Sequence, residues 1–282
     1  MNDRCRCFAV SAAPITEDTL NFFASLEIPI HDVLGQSEGT APLCFNTDTN
    51  QEWKMMTTGR PMRGILARVD PDTNEVQFKG RIIMMGYMKM PAETAATIDE
   101  DGWLHTGDQA VIDEDGFVKI TGRLKELIVT AGGENVSPVP IENRLMELCP
   151  EISNAIVVGD KRNYLSCLIC LKTEMDPVSG EPMPELSKKV VEKSKEIGSE
   201  AVTCEEASVD PKWHDYVGIA IEKYNKEYAV SNAQCIRKWV ILKNDISLGK
   251  GELTATMKMK RSVVVRNYAE EIDNIYKEFS VC

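Results

Sequence analysis

The 282-residue chain contains no run of 18 or more apolar residues, so no helix in it is expected to span a membrane. Its first stretch, MNDRCRCFAVSAAPITED, lacks both the apolar core and the cleavage pattern of a signal peptide. The sequence therefore reads as cytoplasmic, with peripheral attachment to the endoplasmic reticulum or another membrane left open. It also lacks a basic surplus. Lys and Arg number 32 against 44 Asp and Glu, giving a net charge of -12. That balance argues against a nucleic-acid binder, which normally presents a basic face. A turn-rich cysteine framework is missing too. There are nine cysteines, but Cys167 and Cys170 lie inside the apolar run YLSCLICLK. A C-x-x-C on a strand sends its thiols to opposite faces, so a buried structural role is expected rather than a metal or redox site. Cys5-Arg-Cys7 is too isolated to suggest zinc.

Hydrophobic residues make up 43% of the chain, ample for a packed core. Three textures follow one another. Met1 to about Thr49 reads as strand, helix, strand and loop: FAVSAAP, a helix opened by Thr16 with Glu17 and Asp18 in its first turn, then IPIHDVLG. A chain that opens directly on a strand reads as a piece of a larger α/β sheet. From about Gln51 to Gly122, GILARV, EVQFKG and FVKITG alternate with Gly, Asp and Asn turns, the pattern of a small barrel or bent antiparallel sheet. After Gly122 comes a compact α+β pattern. ELIVTAGG, NAIVVGD, YLSCLICLK and CIRKWVILK read as strands. A helix starts at Ser137-Pro138, another spans Lys212 to Tyr228, and a last one runs from Arg261 to Phe279. The polar stretch 174–211 reads as a surface insertion with one solvated helix near Leu186 to Ile197.

Four segments could carry chemistry. LGQSEG, residues 34–39, follows an apolar strand; its glycines, hydroxyl and carboxylate suit a phosphate and a hard cation, or a plain surface turn. In HTGD, Asp108 could accept two ribose hydroxyls, or the segment could be a hairpin turn. Arg123, Lys125 and the Gly132-Gly133-Glu134 turn sit where two textures meet. LTATMKMKR, ending at Arg261, is the most basic segment of an acidic chain and suits a solvated helix start and an anion site equally.

In this order the segments resemble the consecutive late motifs of the adenylate-forming superfamily, which contains acyl-CoA synthetases, luciferases and peptide-synthetase adenylation domains. VSAAP, LGQSEG, the long block from HTGD to PIEN, and LTATMKMKR carry the likeness over nearly the whole chain. LTATMKMKR is similar to the ending of long-chain fatty acyl-CoA synthetases, and GRPMRG, KGRIIMMGYMK and MKMKRS to the bubblegum branch. The resemblance implies residues 1–122 as the end of an adenylation domain, an α/β sheet plus a small β-barrel. It implies 123–282 as a mobile α+β C-terminal domain. It implies long-chain fatty acid, ATP, Mg2+ and coenzyme A as reactants and cofactors. Ala12, Ala13, Pro14, Gly35, Ser37, Asp108 and Arg123 would then surround the nucleotide. Glu38 would hold Mg2+, Lys125 would be the hinge, Gly132, Gly133 and Glu134 would flank CoA, and Lys258 would promote adenylation. The two half-reactions need no covalent enzyme intermediate, so no Ser-His or Cys-His pairing is expected.

Two departures stand out. Leu34 occupies a position where the family usually stacks an aromatic ring on adenine. Nothing in the 282 residues resembles the Ser/Thr/Gly-rich loop, ending near Pro-Lys-Gly, that grips ATP's phosphates. Two expectations follow: a ligase of which this is a part, inactive by itself, or a non-catalytic fragment that binds CoA, nucleotide or a partner.

Overall fold

The computed structural model describes residues 5–11, 15, 17–47, 53–255 and 257–277. Within them the chain divides into two compact units, Met1–Lys125 and Glu126–Cys282.

In the first unit, β1 (Phe8–Ser11) and β2 (Ile30–Leu34) pair in parallel, joined by α1 (Glu17–Ser25). Glu17 and Asp18 sit in the first turn of α1, where the helix dipole favours negative charge. Thr16, the expected cap, lies outside the described residues. Two short antiparallel strands, β3 (Cys44–Phe45) and β4 (Arg60–Pro61), complete this sheet. A second sheet is an antiparallel meander of β5 (Ile65–Val69), β6 (Glu75–Gly80), β7 (Leu104–Ile112) and β8 (Val118–Arg123). Helix α2 (Pro91–Thr97) lies between β6 and β7 in the chain.

The expectation is a small barrel or a bent antiparallel sheet, and the described strands form an antiparallel sheet. The strands run in the order β5-β6-β7-β8, and no described ladder joins β5 to β8, so the sheet is open. β5 alternates between half-buried and exposed residues, the pattern of an edge strand with one face on the core. Phe78, Leu104, Val76, Val118, Leu43 and Cys44 form the buried heart of the unit, drawing on both sheets.

The second unit is built on a three-stranded sheet of β11 (Ile152–Val158), β12 (Leu165–Leu171) and β15 (Ile236–Ile241). β12 is central, antiparallel to β11 and parallel to β15, and all seven of its residues are buried. A strand covered on both faces needs an unbroken apolar run, and LSCLICL supplies one. On one face, Cys167 and Ile169 pack with α3 (Pro138–Leu148) and α6 (Pro211–Glu227). On the other, Leu168 and Cys170 pack with α7 (Arg261–Asn267) and α8 (Ala269–Lys277). Burial pushes both thiols well up, so they stay protonated and inert. The described residues contain no cluster of three or more metal-ligating side chains.

Three further expectations change. The final helix is two, interrupted at Tyr268; Phe279 lies outside the described residues. ELIVTAGG forms only the two-residue strand β9 (Ile128–Val129), paired with β10 (Asn135–Val136). The stretch 174–211 contains the helix expected near Leu186 to Ile197, but it is no wet insertion. It folds into the hairpin β13 (Thr173–Met175) and β14 (Pro182–Leu186), followed by α4 (Lys188–Glu196) and α5 (Cys204–Val209). Leu186, Val190, Ala201, Cys204 and Ala207 join the core. Apolar residues spaced three or four apart bury one helix face, while the intervening Lys and Glu keep the other in water. None of the described helices is long and apolar enough to cross a membrane.

Candidate functional site

HTGD is not a turn; it lies inside β7. Glu75 pairs with Gln109 and Gln77 with His105, so β7 carries two extra residues in this interval and bulges. Gly107 takes φ 73°, a conformation that favours glycine. Side chains close the bulge. The Thr106 hydroxyl donates to the Val76 carbonyl at 2.6 Å and accepts the Asp108 N–H at 3.1 Å. The Gly107 N–H donates to Glu75 Oε1 at 2.7 Å. Asp108 stands opposite Arg123 on β8, with Arg123 Nε 3.0 Å from Asp108 Oδ1. The two residues expected to face the nucleotide's sugar and phosphate thus meet as a cross-strand ion pair.

Gly35, Ser37 and Glu38 lie at the end of β2, where Ser37–Gly39 makes a single 3-10 turn. Gly35 is held to glycine by space: a Cβ there would come within 2.6 Å of the Ala41 Cβ. The Glu38 carboxylate accepts the Tyr87 phenol at 2.6 Å, and its carbonyl accepts the Met84 N–H at 2.8 Å. That hydrogen bond raises the Tyr87 pKa, because the proton is shared with a carboxylate. Leu34 packs half-buried against its own unit's core. Ala12, Ala13 and Pro14 lie outside the described residues. Lys125 is exposed in a one-turn 3-10 segment, Leu124–Glu126.

In the second unit, Gly132, Gly133 and Glu134 form the exposed turn between β9 and β10. Gly133 has φ 79° with open space around it, and its N–H donates to the Thr130 carbonyl at 2.9 Å. Glu134 accepts the Ser231 hydroxyl at 3.3 Å. Lys258 ends a tight loop. The Thr254 N–H donates to the Lys258 carbonyl at 2.8 Å, and the Lys258 N–H to Thr254 Oγ1 at 3.0 Å. Buried Glu252 anchors the loop's base by accepting the Ser247 N–H and the Asn267 amide, each at 3.0 Å. Among the described residues no ion pair occupies the half-buried Lys258 ammonium. Arg261 differs. It makes a two-pronged salt bridge to buried Glu142, both contacts at 2.7 Å, and Glu142 also accepts the Val157 N–H. Arg261 is an anchor, neither a solvated helix start nor a free anion ligand.

Residues 125–203 match the AMP-binding enzyme C-terminal domain. The chain is 45% identical to the long-chain-fatty-acid–CoA ligase ACSBG2 of Gallus gallus, over 98% of this chain and 37% of the relative. It is 40% identical to the human protein of the same name, over 97% and 42%. The chain belongs to the adenylate-forming superfamily. Its sequence relatives put it in the bubblegum branch, and it spans about two-fifths of their length. Its fold is shared with the A domain of a carboxylic acid reductase from Segniliparus rugosus, solved with AMP and a co-purified carboxylic acid. That match has a TM-score of 0.72 at 18% identity, covering 97% of this chain and 40% of the other. It is shared also with O-succinylbenzoate coenzyme A synthetase of Bacillus subtilis, solved with ATP and magnesium ion. There the TM-score is 0.61 at 18% identity, covering 91% and 46%.

Within the first unit, then, the structure pairs Asp108 with Arg123 and keeps Glu38 beside its chain neighbours Gly35 and Ser37. Sequence reading passed over Glu75, Tyr87, Glu142 and Glu252, the residues that hold the expected ones in place. Glu75 and Glu252 had no signal beyond being carboxylates near buried positions. Tyr87 was within reach, since it follows a glycine in the quoted KGRIIMMGYMK.

Proposed function

We propose that this chain is the nucleotide- and CoA-handling end of a long-chain fatty acid–CoA ligase. In that reaction a fatty acid carboxylate attacks the α-phosphorus of ATP, giving acyl-AMP and pyrophosphate. The CoA thiol then displaces AMP to give acyl-CoA. The observation that carries the reading is the Asp108–Arg123 pair, 3.0 Å apart on adjacent strands, with Asp108 raised on a bulge. A carboxylate so held can accept both hydroxyls of a ribose, and the more exposed guanidinium beside it can reach a phosphate.

Ala12, Ala13, Pro14, Gly35 and Ser37 would border the base and sugar. Glu38 fits Mg2+ in chemistry: the ion favours one or two carboxylates plus substrate phosphates, and the Tyr87 bond engages only one Glu38 oxygen. When bound there, Mg2+ would neutralise phosphate charge. Lys258 would do the same for the attacking carboxylate and the α-phosphate, without cost of reorganisation because its loop is already pinned. Gly132, Gly133 and Glu134 would border the pantetheine arm, and Lys125 would be the hinge between the two half-reactions.

The 282 residues contain no loop to cradle a triphosphate, so by itself the chain binds nucleotide weakly and does not adenylate. AMP is expected to bind with a Kd on the order of 1 mM, and Asp108→Asn to weaken that binding about tenfold. Fatty-acid-dependent ATP–pyrophosphate exchange is expected to be absent. Robust exchange, lost in Lys258→Ala, would overturn the inactivity; AMP binding indifferent to Asp108→Asn would overturn the ribose assignment.

A further inference from the structure

Glu75 is almost wholly buried, at 6% exposure, and its carboxylate reaches two residues of the β7 bulge, Gly107 and His105. Oε1 accepts the Gly107 N–H at 2.7 Å. Oε2 lies 2.8 Å from His105 Nδ1 and accepts the Gln77 amide at 3.2 Å. A regular antiparallel ladder would satisfy the Gly107 N–H with a backbone carbonyl of β6. Two extra residues in β7 put that carbonyl out of register, and the Glu75 carboxylate takes its place. The partners are themselves fixed. Gln77 Oε1 accepts Arg68 Nε at 2.7 Å, Arg68 also reaches Asp99 at 3.2 Å, and His105 Nε2 lies 3.7 Å from the same Asp99 carboxylate.

We infer that Glu75 is a positioning residue: through the Gly107 N–H it sets the bulge that aims the Asp108 carboxylate at a ribose diol. The inference rests on the assignment of Asp108 to ribose. Asp108 is one residue from Gly107, and the peptide joining them is the part of the bulge that Glu75 grips. Without an acceptor at that spot the half-buried Gly107 N–H loses its partner, and a few tenths of an ångström of backbone movement toward a carbonyl or water would relieve it. Such movement would swing Asp108 away from its aim. What matters is therefore the reach of the acceptor and not its charge.

The test uses the whole chain and two probes, AMP and 2′,3′-dideoxy-AMP, titrated by NMR. Wild type is expected to prefer AMP by about tenfold or more, the value of a single hydrogen bond to a charged group. Asp108→Asn should remove the preference. Glu75→Gln keeps the length of the side chain and an oxygen for Gly107, so it should keep the preference. Glu75→Asp keeps the charge but falls one methylene short, so its preference should drop to about one and its Gly107 amide should lose protection from hydrogen exchange. Thermal melts of the two variants control for stability, because a purely structural Glu75 would shift the melt and leave the AMP ratio alone. Loss in Glu75→Asp with retention in Glu75→Gln supports the inference. An unchanged ratio in Glu75→Asp, while Asp108→Asn abolishes it, overturns the inference and leaves the ribose assignment standing. No preference in wild type, or one untouched by Asp108→Asn, overturns both.

Discussion

At the scale of single residues, the side chains that organise this molecule are buried carboxylates. Glu142 is the clearest case. Its side chain and that of Arg261 are 5% and 14% exposed, and the pair ties α3 to the first residue of α7, three positions beyond Lys258. Removing one partner of such a pair strands a charge in low dielectric. Arg261→Leu is expected to cost about 3–5 kcal/mol in urea denaturation, with Glu142→Gln on top recovering part of it. A loss under 1 kcal/mol would show that the pair is not an anchor. The expected site residues were legible because motif spacing survives in one dimension. Their supports were not. Glu75 is one acidic residue among 44 until the register of β6 against β7 reveals which N–H it serves. Arg261 sits in a run of cations and looked like one more of them until Glu142, far off in the chain, was seen to reach it.

Elements were legible where burial is one-sided or complete. LSCLICL could only be a covered strand, and its two cysteines do face opposite cores. Legibility failed where composition and pattern disagree, as in 174–211. Its Pro, Ser, Glu and Lys content suggested a solvated excursion, yet its few apolar residues are spaced to meet the core. Ser194 on α4 even accepts the indole N–H of Trp213 on α6, at 3.1 Å, with both residues fully buried. A segment that merely coated the surface would tolerate truncation. Here Leu186→Ala is expected to cost about 3 kcal/mol, because a 3%-exposed side chain leaves a cavity behind. Exposed Lys189→Ala on the same segment should stay within about 0.5 kcal/mol of wild type. Equal, small effects of both would return the segment to the role of a wet insertion.

At the scale of the whole molecule, the division after Lys125 coincides with a division of cores. Every member of the two clusters around the β12 sheet falls between Ile128 and Ile275. A sheet covered on both faces by helices, with a fully buried central strand, is a complete domain core of ordinary size. The sequence-level boundary at 122 and 123 differs by three residues, because Gly122 closes a visible β pattern while Arg123 still pairs with Asp108 in β8. Residues 126–282, expressed alone, are therefore expected to fold. The fragment carries Trp213 buried in one core and Trp239 packed against it, so fluorescence reports tertiary packing directly. Its urea transition should be single and should coincide by tryptophan fluorescence and far-UV circular dichroism. Separate transitions, or strong binding of a hydrophobic dye at neutral pH, would show a loosely packed state that needs the first unit to complete it.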